Sequence, residues 1–392
     1  MAHRKPRARR RARRPTAVPA FALAAALATV LPAAACTSAP ASSGPSTAGA
    51  RGTASPGITA AQARQVFDRY VATAATAVAP ASASPVLSLV TGVERAVLTA
   101  TRASHAVVVN GTSPNASGAY GSSLSVKPAV AVYTYGSPTF FRPAAAGYPR
   151  FFVASAKRTL RGADGAATGA GDALVPLDGP ALMLFEQASA RAPWLLGSIS
   201  QLPAGVTAPK LATDGAGYVP TVPLSDASLL AQPGDTGPLQ AGVVDEGPAS
   251  AATRVMADGP LTTGMYQSAV DHAGGLTAPP GDVYQWELDG SSLPQFALRT
   301  AAGGALVFYA MSLTTTVAVP DVINKADPVH SGPPIQVPAD VQMLLPAGRP
   351  APLVQLSAYL TLSFAAVDPA AAGSAKIQVI AVGGGLTGAS AS

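Results

Sequence analysis

Trp194, Tyr284, Trp286 and Glu287 are the side chains best suited to contact a ligand. Aromatic rings stack on the apolar faces of sugars, and a carboxylate binds hydroxyls or takes part in glycoside hydrolysis. A plainer role also fits, because Tyr284, Trp286 and Leu288 alternate along one strand face and so read as core. Hydrolysis needs a second positioned carboxylate, and the sequence names none for Glu287.

Other chemistries find less support. His105, His272 and His330 are too widely spaced for a local ligand pair such as an i, i+4 helical site. The stretch "DGAATGAGD", with Asp164 and Asp172, lacks the alternating carboxylates of a calcium loop and reads as solvated. There is no G-x-S-x-G elbow, no S-x-x-K pair, and no glycine-rich loop running into Lys-Ser/Thr. Asn110 and Asn115 each open a glycosylation sequon, a match that the bacterial-type N-terminus makes accidental. The expectation is a protein without catalytic residues, metal or cofactor.

The single cysteine, Cys36, is informative by its position. Eight basic residues stand among the first fourteen, and an uncharged apolar run then leads to "AAAC". This is the layout of a signal peptide, with Ala33 and Ala35 meeting the small-x-small rule for cleavage. The ending resembles a bacterial lipobox, which implies a diacylglyceryl group on Cys36 and cleavage just before it. Ala33 stands where that motif usually has leucine, so ordinary secretory cleavage or a retained anchor stays open. Arg13 and Arg14 hint only weakly at a twin-arginine route, since Pro15 and Thr16 follow them.

Cleavage reverses the charge. The whole chain carries 26 basic and 20 acidic residues, and loss of the eight N-terminal basics leaves 18 against 20. The basic balance therefore belongs to the leader, and a nucleic-acid partner is not expected. One cysteine permits no intramolecular disulfide, so the fold must rest on its core.

The elements that would position any site begin after a tether. Residues 37–57 contain no aromatic and no large aliphatic side chain, and cannot order themselves by burial. Their r.m.s. reach of about 25 Å lifts a domain clear of a lipid surface. Thr59 with Gln62 then forms a capping box, and Ala63, Val66, Phe67, Tyr70, Val71 and Ala74 recur at helical spacing. "PVLSLVTGVERAVLTATRA" reads equally as a helix or a strand pair. Strands are predicted in "KPAVAVYTYGSPTFFRP" and "YPRFFVASAKRT", and a hairpin in "PALMLFEQAS" with "PWLLGSISQL". After a Pro/Gly-rich stretch, "LTTGMYQSAVDHAG" reads as a helix. Strands follow in "DVYQWELDG", "PQFALRTAAGGALVFYAMSLTTTVAV", "APLVQLSAYLTLSFAAV" and "AKIQVIAVGGG".

The similarity of "GPALMLFE" (179–186) to "GGALVFYA" (303–310) suggests an internal duplication. The expected class is α+β, with two tandem helix-plus-antiparallel-sheet domains. Their boundaries are a leader at 1–35, the lipidated cysteine and tether at 36–57, domains at 58–233 and 249–383 joined by a linker at 234–248, and a disordered tail at 384–392.

"ITAAQARQVFDRYV", "FFRPAAAGYPRFFVAS", "ALMLFEQASARAPWLL", "ATDGAGYVP" and "GGALVFYAM", with the lipobox and tether, make the chain resemble a family of uncharacterised lipoproteins of actinobacteria. That resemblance implies a location and no activity. The element order also resembles the cone-shaped folds of nuclear transport factor 2 type, a likeness of fold alone. The expected function is a binding or interaction module, lipid-anchored at the outer face of the cytoplasmic membrane, meeting an envelope protein or wall polymer. The alternative is a small-molecule or lipid binder with an apolar pocket between helix and curved sheet. An envelope hydrolase ranks third. Whether Phe151, Phe185, Phe296 and Phe308 fill or line the sheet interior separates the first two.

Overall fold

Thr59 and Gln62 start the first helix as their spacing predicts. The Thr59 hydroxyl accepts from the Gln62 backbone N–H at 3.2 Å, and the Thr59 N–H donates to Gln62 Oε1 at 3.0 Å, opening α1 (Ala60–Ala74). The computed structural model describes residues 57–76, 84–105, 107–110, 123–126, 132–144, 147–160, 179–271, 283–318, 335–347 and 354–392. Cys36, most of the tether, Asp164, Asp172, His272 and His330 lie outside them. Thr59→Ala removes the hydroxyl that accepts the Gln62 N–H and is expected to lower stability by about 1 kcal/mol. Urea midpoints of the two proteins check this, and equal midpoints would show the cap to be idle.

The undecided stretch is helical, forming α2 (Ser84–Leu87) and α3 (Gly92–Ala103). Gly92, at the start of α3, has φ of +54°, and a Cβ there would press on the Gly197 carbonyl oxygen at 2.9 Å. The glycine lets α3 settle directly on the sheet.

The strands are β1 (Val107–Asn110), β2 (Ser123–Val126), β3 (Tyr133–Tyr135), β4 (Thr139–Pro143), β5 (Arg150–Leu160), β6 (Gly179–Gln187), β7 (Leu195–Gln201) and β8 (Tyr218–Val219). Then come α4 (Thr236–Glu246), α5 (Thr263–Val270), β9 (Val283–Gly290), β10 (Phe296–Arg299), β11 (Ala305–Ala318), a short α6 (Ala339–Gln342), β12 (Gln355–Asp368) and β13 (Gln378–Ala391). β1 pairs with β2 alone, and the other eleven strands form one sheet along the path β10-β11-β12-β13-β7-β6-β5-β4-β8. β3 adds to β5, and β9 adds to β11.

The α+β class stands, but the halves expected as tandem domains share this sheet, and one compact unit covers Gly52–Ser392. Strand β13 joins them, pairing with β12 on one side and meeting β7 at Val382↔Gln201 on the other. The expected linker at 234–248 is largely helix α4, which buries Val243 and Val244. Its glycines are contacts rather than breakers: at Gly237 a Cβ would stand 2.9 Å from Met311 Sδ. The expected disordered tail likewise belongs to β13, paired with β12 from Gly384↔Leu362 to Ala391↔Leu356.

The sheet also bends back on itself. Phe151 of β5 and Phe296 of β10 have five strands between them along the path, yet their ring centroids are 4.5 Å apart. Bridges Leu211↔Thr300 and Thr221↔Leu298 tie β10 to the segment that carries β8. Inside the bend Phe151, Val153, Leu182, Leu184, Leu298, Leu306 and Phe308 form one apolar cluster. A second cluster lies beneath α1 around Phe152 and Phe185, and a third beneath α4 and α5 around Tyr309 and Phe364. The similar stretches in β6 and β11 place matching residues alike. Leu182 and Leu306 face inward with Leu184 and Phe308, whereas Phe185 and Tyr309 face the helices.

A candidate aromatic cleft under the first helix

The apolar stripe of α1 buries Ala63, Phe67 and Tyr70 against the sheet and leaves Gln65 and Arg69, one turn apart, on the neighbouring exposed strip. Opposite them the connection from β6 to β7 carries Pro193 and Trp194. Gln187 Nε2 braces that connection by donating to the Ala192 carbonyl at 2.8 Å. Between helix and connection lies a cleft of 240 Å³, lined by Gln65, Val66, Arg69, Tyr70, Leu89, Phe185, Pro193 and Trp194.

Its walls are fixed by ring packing. Phe185 stacks on Phe152 with centroids 4.8 Å apart, Trp194 meets Phe152 edge-on at 5.2 Å, and Tyr70 meets Phe185 edge-on at 6.2 Å. Such pairs add to the burial that holds each ring, so the cleft is shaped before anything enters it. The lining holds no carboxylate, histidine, cysteine or hydroxyl other than that of Tyr70.

Behind Tyr70 lies a polar cluster. Tyr70 and Tyr135 share a side-chain hydrogen bond, and burial raises the pKa of both phenols, that of Tyr135 to about 12. Both therefore stay protonated near neutral pH, one phenol donating to the other, and neither serves as a base. Glu94, in the first turn of α3, accepts the Ile199 N–H at 3.0 Å. Burial pushes its pKa up, against the opposing pull of Arg158 and that hydrogen bond. Arg158 lies 3.5 Å from the Tyr133 ring centroid. Glu94 supports the sheet here and does not line the cleft.

A second carboxylate with a raised pKa, Glu186, is lifted by burial. It borders a cavity of 20 Å³ with Gly197, Ser198 and Ser363. That is room for about one water molecule and not for a substrate.

Of the residues singled out from sequence, Trp194 lines the cleft, while the other three sit together on β9. Tyr284 packs into the cluster around Val317 and Leu356, Trp286 packs under α4 and α5, and Glu287 points outward with Gln285 and Asp289. Trp194 and the β9 trio thus belong to different clusters. Phe151, Phe296 and Phe308 fill the interior of the bend, and Phe185 faces the opposite side, at the cleft. His105 lies just past the end of α3, where its backbone N–H donates to the Met343 carbonyl. Among the described residues no group of three His, Cys, Asp or Glu is placed to hold a metal. Sequence reading missed Gln65 and Arg69. Their signal was two polar residues at i, i+4 beside an apolar stripe, which becomes meaningful only once the β6–β7 connection lies opposite.

No curated protein and no solved structure matches the chain, so neither an activity nor the cone-shaped likeness gains a counterpart. One family model does match, over residues 54–391, from just before α1 to the end of β13. The chain belongs to that family, described as Domain of unknown function (DUF8094).

Proposed function

We propose that this protein is a non-catalytic binding module, tethered to the outer face of the cytoplasmic membrane by a lipid on Cys36, and that its ligand contact is the cleft under α1. The observation that carries the binding reading is the cleft itself, an aromatic recess in a fold whose sheet interior is filled by Phe151, Phe296 and Phe308. Pockets of this makeup, apolar walls with a few polar groups at one side, are the usual form of small-molecule sites. A broad protein-docking face has less support. The exposed large apolar side chains among the described residues are Tyr148, Leu224, Val270 and Tyr359, each on a different segment. Isolated residues of this kind are ordinary surface.

The anchor rests on the sequence: a basic start, an apolar run, "AAAC", and then a tether. No helix among the described residues is long and apolar enough to cross a membrane. The fold takes hold of the chain where the tether ends. Arg142 Nη1 donates to the Ile58 carbonyl, and Gly57 lies so close to the Pro143 carbonyl that a Cβ would collide with it. Two acyl chains hold such a domain at a bilayer where one would not.

Comparison of the wild-type chain with Cys36→Ala in a native-like host tests the anchor. The wild type is expected to carry a diacylglyceryl mass and to partition into the detergent phase, and the variant to lose both. Recovery of both proteins as soluble chains cut after Ala35 would overturn it.

A further inference from the structure

Resting on the reading of the cleft as a ligand site, we infer that it takes a small organic monocarboxylate with a compact apolar ring. The polarity of its lining is one-sided. Gln65 and Arg69 stand on one helical strip, and Tyr70, Leu89, Phe185 and Trp194 supply the apolar remainder. A ligand that fits therefore has one polar end and an apolar body. A neutral sugar, with hydroxyls around its whole rim, leaves several of them against Leu89 and Phe185 with nothing to bond.

Charge selects the polar end. The guanidinium of Arg69 is a donor-only fork that matches a carboxylate, and the Gln65 amide beside it can donate as well. Asp68, the nearest acid along the helix, is turned to Arg64 at 3.9 Å, and Arg69 has no carboxylate partner among the described residues. An anion arriving at the cleft thus meets an uncompensated cation at its mouth, whereas an amine would be repelled.

Size selects the body. A cavity of about 150 Å³ holds benzene, so 240 Å³ accommodates a six-membered ring with a carboxylate attached. It is smaller than the roughly 300–1,000 Å³ of drug-sized sites, and a two-chain lipid does not fit.

The chain has two tryptophans, so Trp286→Phe leaves Trp194 as the sole emitter, inside the cleft. Far-UV circular dichroism and the urea midpoint establish that this protein is folded like the wild type. Its emission is then followed on titration with benzoate, cyclohexanecarboxylate, benzamide, benzylamine and glucose. Both carboxylates are expected to change the emission saturably, with benzamide at least tenfold weaker than benzoate. Adding Arg69→Gln, an exposed change, is expected to weaken benzoate at least tenfold and to leave benzamide unaltered. Benzamide equal to benzoate, or no effect of Arg69→Gln, would overturn the carboxylate assignment while leaving the cleft a ligand site. Saturation by glucose or benzylamine alone would do the same and redirect the class. Silence towards all five would overturn the cleft as a site for small ligands along with the assignment.

Discussion

Gly383→Ala is expected to destabilise the fold by about 3 kcal/mol or more, a large share of a typical domain's stability. Gly383 sits on β13 beside Val382, whose pairing with Gln201 of β7 joins the two halves of the sheet. A Cβ there would fall inside the Ile199 carbonyl oxygen of β7 and within 2.9 Å of Ser363 Oγ on β12. Two strands would have to move apart to admit one methyl group. The same strand supplies the control, because at Gly388 the nearest atom to a new Cβ is Tyr359 Cδ2 at 3.5 Å, an ordinary contact. Gly388→Ala is expected to stay within about 0.5 kcal/mol of the wild type. Urea unfolding of the three proteins settles the matter, and equal midpoints for the two variants would remove the close approach at Gly383 as a determinant of the seam.

Asp368→Asn is expected to do the opposite and stabilise the protein at neutral pH. Asp368 ends β12 fully buried, and neither carboxylate oxygen has a hydrogen-bond partner of good geometry. Burial raises its pKa to about 6, offset in part by the N–H groups of Ala231 and Leu230, with a small further push from Asp226. An unfolded aspartate titrates near 3.9. Between those values the folded state holds a proton that the unfolded state has released, so stability is fully present below about pH 4 and falls as pH rises through 6. The asparagine variant has no such loss. Its advantage is expected to emerge between pH 4 and 6 and to level off at about 1–3 kcal/mol by pH 8. Denaturant midpoints at pH 4, 6 and 8 measure it, and parallel pH curves for the two proteins would show that Asp368 does not titrate in this range.

Much of the local structure was legible. The capping box, the helix after it and the β6–β7 hairpin follow from periods and turn residues that act within a few positions. What failed depended on glycine. Gly237 and Gly242 in α4 fell within the expected linker, and Gly384 and Gly385 in β13 within the expected tail, although in the fold they let neighbouring atoms approach. A sequence shows that a side chain is missing but not what fills the space. For the same reason the division into two domains misled, since contacts between residues far apart in the chain, Gln201 with Val382 and Leu211 with Thr300 among them, join the halves. The candidate site was half legible. Trp194 stood out by its type, but Arg69 is one of many surface arginines until the fold sets an aromatic wall in front of it.

Placing the last strand in the middle of the sheet fixes when the fold can be completed. Strand β7 is made early, yet the neighbour it needs is β13, whose Val382 pairs with Gln201 from the far side of nearly the whole second half. During synthesis the first half therefore waits with an unpaired edge, and closure comes only once β13 has been made, as expected for a topology so rich in distant contacts.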